Sequence, residues 1–165
     1  MFGPMRRTRQ ELRQEEWEDI LRHGTSGVLA VLDTDGYPYA VPLSYWYHDG
    51  SLIFHGATTG RKIDAIKHHD KASFCVVAQD DVVPLEYTTN YRSVIAFGTI
   101  HIITDEDEKR RTVEELMKKY APHDTEEHRN GEIAHAWKAL CMMKLDITHV
   151  TGKESRLLAQ QRHGK

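Results

Sequence analysis

The residues best suited to chemistry form one run of small, hydroxyl and cationic side chains, Phe54-His55-Gly56-Ala57-Thr58-Thr59-Gly60-Arg61-Lys62. The run leads from a predicted β-strand into a short predicted helix, and a helix N-terminus presents unpaired N–H groups and the positive end of the dipole. The two threonines add hydroxyl donors, and the arginine and the lysine add positive charge. A phosphate monoester would fit there, with its attached group against the phenylalanine and the histidine. The pattern therefore predicts a site for a phosphorylated aromatic cofactor.

The length and the charge of the chain limit its organisation and its partners. With 165 residues it is long enough for one domain with one sizeable core. The 22 lysines and arginines against 25 aspartates and glutamates give a formal charge of −3, so no overall basic field favours nucleic acid. We expect no nucleic-acid partner, and any anion site must depend on local charge.

The two cysteines and the N-terminal segment bear on metal binding and on the compartment. Cys75 and Cys141 each lie in an apolar, strand-like run that is typical of buried free thiols. There is no CxxC spacing of the kind that predicts a zinc site, and we expect no metal. Residues 1–13 are polar and basic, and no window reaches the length of a membrane span. We therefore expect a soluble, cytoplasmic protein with no membrane partner.

The periodicity of the sequence predicts a mainly β domain with flanking helices. It places a helix within residues 1–25, barrel strands over 27–103 with a short helix at 60–69, a helical segment at 104–140, a closing strand at 141–150 and a tail at 151–165. The six predicted strands are 28–32, 37–47, 51–55, 72–78, 91–103 and 141–150. Their order favours a small antiparallel barrel. A Rossmann domain is disfavoured because alternating βαβ units and a GxGxxG turn are both absent from the sequence.

Three motifs in this order and spacing resemble those of a known family. They are Gly36-Tyr37-Pro38-Tyr39-Ala40-Val41-Pro42-Leu43, Phe54-His55-Gly56-Ala57 followed by Gly60-Arg61-Lys62, and Ser93-Val94-Ile95-Ala96-Phe97-Gly98. The sequence resembles the pyridoxamine 5′-phosphate oxidase-like flavoproteins, and within them the nitroimidazole-resistance (Nim) branch. The likeness extends over nearly the whole chain. It implies a six-stranded, antiparallel split β-barrel that forms a homodimer, with FMN at the subunit interface.

The resemblance also implies which residues hold the flavin. The phosphate would be bound by the loop and the helix start after the third strand, and the ring would lie along two neighbouring strands. Three further candidates, Tyr91, Ser93 and Trp137, would come from the second subunit. The residues implied within one subunit are Pro42, Leu43, Ser44, Phe54, His55, Gly56 and Ala57 for the ring and its surroundings, and Thr58, Thr59, Arg61 and Lys62 for the phosphate.

His55 has two interpretations at this stage. In the Nim branch, a histidine in this strand-end motif lies beside the flavin and is linked with the substrate or with reduction of a nitro group. An imidazole there could donate a hydrogen bond to a substrate oxygen or act as an acid near neutral pH, which would make His55 catalytic. Alternatively, His55 packs on the ring face and bonds a backbone carbonyl.

The function implied is an FMN-dependent oxidoreductase that passes electrons from a reduced nicotinamide to a small organic acceptor, such as a nitroimidazole. The flavin would carry the redox chemistry and the protein would position it. One alternative is a non-catalytic module that holds a flavin. A second is a haem-binding module, for which His149 or His163 would be candidate ligands. True pyridoxamine phosphate oxidase activity is not expected, because the C-terminal residues show no pattern that matches the substrate-binding residues of that enzyme.

Overall fold

The computed structural model describes residues 2–163, which contain seven strands and five α-helices. Two 3-10 turns, Thr8–Gln10 and Pro84–Glu86, accompany them. The strands are β1 (Ser26–Leu32), β2 (Pro38–Ser44), β3 (Trp46–His48), β4 (Ser51–Ala57), β5 (Lys71–Val83), β6 (Thr88–Ile102) and β7 (Leu140–Glu154). The helices are α1 (Gln14–His23), α2 (Arg61–His68), α3 (Glu106–Tyr120), α4 (Glu126–Ala136) and α5 (Arg156–His163).

The seven strands form one sheet in the order β2-β1-β5-β6-β7-β4-β3, and every neighbouring pair is antiparallel. Strands β2 and β3 are at opposite edges of this sheet, yet Tyr45 alone separates them in the chain. The sheet must therefore curl until its two edges meet, which makes it a barrel. The predicted antiparallel barrel is confirmed. It has seven strands instead of six because the predicted strand at 37–47 is divided at Tyr45.

Tyr45 is fully buried at this corner and is held by the ends of two helices. Its backbone N–H donates to the Tyr120 hydroxyl over 2.9 Å, and the Lys119 ammonium donates to its carbonyl over 3.0 Å. The same ammonium lies 4.3 Å from the centroid of the Tyr45 ring. Gly24 is required beside the ring, because a Cβ there would collide with the Tyr45 hydroxyl. The end of α3 and the end of α1 thus fix the point where the barrel closes.

Apolar side chains lie on both faces of β4 and build two cores. Leu52 and Phe54 point into the barrel, whose inner cluster also contains buried side chains of α2. Ile53 points outward and packs with buried residues of α3 and α4, among them Leu116 and Ile133. This alternation follows from the two-residue period of a strand. It places His55, the next outward residue, beneath the helical layer.

Two segments differ from the sequence prediction. Residues 79–89, which lie between the predicted strands 72–78 and 91–103, extend β5 and β6 into a hairpin closed by the Pro84–Glu86 turn. The predicted tail at 151–165 instead continues β7 to Glu154 and then forms α5, while residues 164 and 165 and the side chain of His163 lie outside the described part. Within residues 1–25, where the first helix was predicted, α1 occupies only Gln14–His23.

The C-terminal helix is held by a buried carboxylate. Glu154 is fully buried, and its Oε2 accepts from Arg92 Nη2 over 2.8 Å. Arg162 of α5 places its Nε 2.7 Å from the other oxygen, an ion-pair contact without good hydrogen-bond angles. Gln10 donates to the Glu154 carbonyl over 3.0 Å. A buried charge with two cationic partners is costly to disrupt. These contacts therefore stabilise α5, whose own sequence does not clearly predict a helix.

Candidate functional site

The barrel is incomplete between β2 and β4. Strand β3 pairs with β4 only over 51–53, whereas β7 pairs with β4 along its whole length. Within residues 2–163, the stretch of β4 from Phe54 to Ala57 therefore has no strand partner on the side that faces β2. We call the gap between residues 42–44 of β2 and residues 54–57 of β4 the seam. Backbone N–H and C=O groups along it are available to a ligand.

An apolar cavity of about 420 Å³ lies beside the seam. Its outer wall comes from α3 and α4, where Val113, Leu116 and Ile133 are buried. From the barrel side Ser44 and His55 contribute polar atoms. The remaining lining residues are Met117, Tyr120, Glu132, Ala136 and Leu140. A cavity with one apolar wall and a few polar groups at its edge suits a flat ring system.

His55 lies on the outer face of β4 and contacts this cavity. Burial lowers the pKa of its imidazole, and the positive charge of Lys62 lowers that pKa further. The side chain still has solvent access, so it can exchange protons with water. Because the pKa lies below the ordinary histidine value, the ring is mainly neutral at pH 7 and offers one donor and one acceptor.

The loop after β4 brings hydroxyls and a lysine next to the seam. Thr58 and Thr59 are exposed, and Gly60 has φ of +122°, a backbone conformation that favours glycine. Lys62 folds back over Gly56, where an added Cβ would lie 2.9 Å from the ammonium nitrogen. Glycine at position 56 therefore leaves the space that the lysine occupies. The predicted helix at 60–69 is confirmed as α2.

Arg61 points in another direction, toward the turn between β1 and β2. Its Nε donates to Asp33 Oδ2, and its Nη2 donates to Asp35 Oδ2 over 3.2 Å. Its guanidinium carbon lies 5.2 Å from the centroid of the Tyr39 ring. The two cations predicted to act together are thus differently engaged, because in residues 2–163 Lys62 forms no ion pair with a carboxylate whereas Arg61 forms two.

The ring-contacting candidates divide between the two faces of the barrel wall. Pro42 and Ser44 face outward and are exposed, whereas Leu43 packs on the inner core. Phe54 also points inward, with its ring centroid 5.0 Å from that of Phe74. For Leu43 and Phe54, therefore, only the backbone atoms can contact a ligand in the seam.

Two of the three candidates from the second subunit, Ser93 and Tyr91, lie apart from the seam within one subunit. Ser93 is opposite Lys153 of β7, and His55 is opposite Met142, so the two positions are eleven residues apart along that strand (153 − 142). This corresponds to roughly 35 Å of extended chain.

Tyr91 and Trp137 each have a lysine ammonium near the ring, and Trp137 also packs on the outer cluster that contains Ile53 of β4. The Tyr91 ring centroid lies 5.6 Å from the Lys153 ammonium. Trp137, just after α4, donates from Nε1 to Glu106 over 3.0 Å, and the Lys109 ammonium lies 4.2 Å from the centroid of its ring. Within one subunit neither Tyr91 nor Ser93 completes the site.

Sequence reasoning missed the helical wall of the cavity and the partners of Arg61. Asp33 and Asp35 were not among the predicted site residues. The sequence predicts a helical segment at 104–140, but not the strand face that it covers. No signal in a single sequence pairs Arg61 with carboxylates 28 and 26 positions earlier, since that contact depends on where α2 packs.

A family model described as pyridoxamine 5′-phosphate oxidase matches residues 13–154 of the chain. The chain belongs to this family. The match spans every strand of the barrel and both cations of the loop after β4. It confirms the family that the motifs indicated. No significantly similar sequence was found among curated proteins.

Several solved structures share the fold of this chain. A Bacteroides thetaiotaomicron protein provisionally assigned to 5-nitroimidazole antibiotic resistance superposes with a TM-score of 0.74 at 20% identity, covering 87% of this chain and 86% of that one. The FAD and haem binding protein of Mycobacterium smegmatis gives 0.73 at 24% identity, covering 90% and 74%. The flavocytochrome Anf3 of Azotobacter vinelandii gives 0.74 at 19% identity, covering 93% and 72%. At these identities the likeness establishes the fold.

Two further properties of the described residues bear on the site. No group of three or more His, Cys, Asp or Glu side chains in residues 2–163 is arranged to hold a metal ion. Over the same part of the chain, no helix has the length and the apolar character needed to cross a membrane.

The electrostatic setting of His55 predicts its titration. We expect its pKa, followed by NMR, to lie below the ordinary value of 6.5. Lys62→Gln should raise the pKa only part of the way, since burial is the larger cause. The His55 imidazole is protonated at a higher pH in the unfolded chain than in the folded protein. Its protonation therefore lowers the free energy of unfolding as the pH falls below 6.5.

Lys67→Gln is the matched control, because Lys67 is an exposed lysine of the same helix. It should leave the His55 pKa almost unchanged. An equal rise in both variants, or a pKa of His55 above the ordinary value in the unaltered protein, would contradict the assigned contacts.

Proposed function

We propose that the protein binds FMN at the seam and is an FMN-dependent oxidoreductase that passes electrons from a reduced nicotinamide to a small organic acceptor. The observation that carries the proposal is the open edge of β4, which lies between an apolar cavity and a loop with hydroxyl and cationic side chains. The flavin, when bound, supplies reversible electron and hydride transfer. The protein holds it, orients it and limits the access of water.

The seam suits the two polar ends of a flavin mononucleotide. Free backbone groups at residues 54–57 would hydrogen-bond the pyrimidine edge of the ring, and the wall formed by α3 and α4 would cover an apolar face. The phosphate would bind the amides and hydroxyls of Thr58 and Thr59, the Lys62 ammonium and the free donors of Arg61. Charge-assisted hydrogen bonds of this kind are short and strong.

His55 lies where an acceptor molecule would meet the flavin. Its neutral imidazole can donate a hydrogen bond to an oxygen of that molecule and keep its other nitrogen as an acceptor. A nitro group or a quinone carbonyl has the oxygen that this contact requires. We infer a positioning and proton-donating role for His55, in preference to simple packing, because it faces the cavity and retains solvent access.

We also propose that two copies of the chain form a homodimer with the flavin at their interface. The outer face of β1, β5 and β6 carries apolar side chains that one subunit leaves exposed. Val28 is 40% exposed and Val77 is 61% exposed. Ile95 of β6 belongs to the same face. Tyr91 and Ser93 belong to the same face of β6. A second copy seated there would bring them to the partner's flavin.

Flavin fits the site better than haem. The imidazole of His149, a candidate haem ligand, stacks on the ring of Phe2 with centroids 4.3 Å apart. The names of two of the similar proteins, an FAD and haem binding protein and a flavocytochrome, indicate both flavin and haem. A cytoplasmic location stays a prediction.

FMN uptake tests the proposal directly. The purified protein should take up added FMN with the visible spectrum of a bound flavin. Arg61→Ala combined with Lys62→Ala should weaken FMN binding by at least about 100-fold, since each charged contact contributes about 1.5–3 kcal/mol. Binding is measured by quenching of flavin fluorescence, and Lys67→Ala serves as the control.

The outcomes separate the hypotheses. A preparation that takes up no FMN would rule out the proposal, and full affinity in the double variant would place the phosphate elsewhere. Oxidation of NADH or NADPH faster than with free FMN supports an enzyme, whereas a rate equal to that of free flavin supports a non-catalytic flavin module.

Sedimentation tests the dimer. Val77→Asp should shift the protein from dimer to monomer, because a charge would be buried against an apolar partner surface. Leu157→Asp alters a similarly exposed side chain on α5, outside this face, and should leave the dimer intact. A monomeric unaltered protein, or a dimer that survives Val77→Asp, would contradict the proposed interface.

A further inference from the structure

The turn between β1 and β2 holds Arg61 through two carboxylates, and each of them contacts it in the same way. Asp33 directs Oδ1 to the backbone N–H of Thr34 over 2.7 Å and Oδ2 to Arg61 Nε. Asp35 directs Oδ1 to the backbone N–H of Tyr37 over 3.1 Å and Oδ2 to Arg61 Nη2. Each carboxylate is thus fixed to the backbone by one oxygen and to the guanidinium by the other. We call this arrangement the aspartate clamp.

The clamp is rigid because the turn beneath it is closed by its own backbone. The Gly36 N–H donates to the Asp33 carbonyl over 2.9 Å, and the Asp33 N–H donates to the Tyr37 carbonyl over 2.9 Å. Asp33 is only 4% exposed. The Tyr39 ring adds a cation–π contact to the guanidinium. Arg61 is therefore constrained from several sides before any ligand arrives.

Stability alone gives little reason for such an arrangement. The Arg61 side chain is 54% exposed, and ion pairs of exposed side chains contribute little to folding. The hydrogen bond from Arg61 is the main cause that lowers the pKa of Asp33, so this carboxyl stays charged near neutral pH. The larger effect of the clamp is on the orientation of the guanidinium.

We propose that Asp33, assisted by Asp35, is a positioning residue that presets Arg61 for the phosphate of the cofactor. This rests on the proposed function, because Arg61 is taken there as a phosphate ligand. A guanidinium has five N–H donors, and the clamp uses one on Nε and one on Nη2. The edge formed by Nη1 and Nη2 keeps the paired donors that match two phosphate oxygens.

Two effects of the clamp on phosphate binding have opposite signs. Holding Arg61 in one rotamer removes an ordering cost from binding, which favours the phosphate. The two carboxylates also cancel the formal charges of Arg61 and Lys62, which disfavours it. On charge alone, removing Asp33 would strengthen phosphate binding, whereas loss of positioning would weaken it. If positioning dominates, as proposed, removal of Asp33 weakens phosphate binding. Tighter binding would show that the charge effect is the larger one.

The experiment compares FMN with riboflavin, which has the same ring and no phosphate. In Asp33→Asn, the dissociation constant for FMN should rise about tenfold, as expected for freeing one ordered side chain, while that for riboflavin stays unchanged. Asp64→Asn is the matched control, since Asp64 is an exposed carboxylate in the first turn of α2. It should leave FMN binding unchanged or slightly tighter.

Three results would overturn the proposal. The first is an FMN affinity in Asp33→Asn that is unchanged or increased, as in Asp64→Asn. The second is an equal loss of FMN and riboflavin binding, which would indicate a general structural role. The third is additive loss in Asp33→Asn combined with Arg61→Lys, because residues that act through one contact are not additive.

Two further measurements keep the proposal testable if the first variant or the flavin fails. Should Asp33→Asn not fold, Asp35→Asn tests the same clamp and should give a smaller loss of FMN binding with riboflavin unchanged. Should the unaltered protein bind neither flavin, the proposed function fails, and the clamp is tested alone by NMR. The Arg61 Nε–H should then exchange slowly in the unaltered protein and rapidly in Asp35→Asn; equal exchange would contradict the clamp.

Discussion

The arrangement of the whole molecule depends on one constraint, the single residue that joins the two edges of the sheet. Tyr45 turns the chain from β2 to β3, and its burial under the ends of α1 and α3 holds both edges together. Because β3 is only three residues long, it covers β4 for a short distance and then leaves the rest of that strand open. The seam is thus a consequence of how the barrel closes.

Local charge matters at the seam because the chain as a whole carries a formal charge of −3. Lys62 lies directly over Gly56 and affects both His55 and any anion in the loop. Arg61 is shared with two carboxylates, so its charge is already balanced and its geometry is fixed. Lys62 therefore contributes positive potential to the site, and Arg61 contributes hydrogen-bond donors in a fixed orientation.

Local patterns predicted the elements that carry the site, and tertiary contacts decided the rest. The strand ending near His55 and the helix following Gly60 were predicted from spacing alone. The division at Tyr45 was missed, since alternation continues smoothly from residue 37 to 47. The helix α5 was missed because tertiary contacts order it: Arg162 pairs with the buried Glu154 and with Glu16, which lies 146 positions earlier in the chain.

The most direct test of this account is the response of backbone amides to FMN. In a titration of the isotopically labelled protein followed by NMR, the largest shifts should occur at residues 55–59, along the open edge of β4 and the loop after it. The amides of residues 85–87, at the exposed end of the β5–β6 hairpin, serve as an internal reference. Shifts concentrated away from the seam, or none at FMN concentrations that saturate binding, would contradict the claim that the seam is the flavin site.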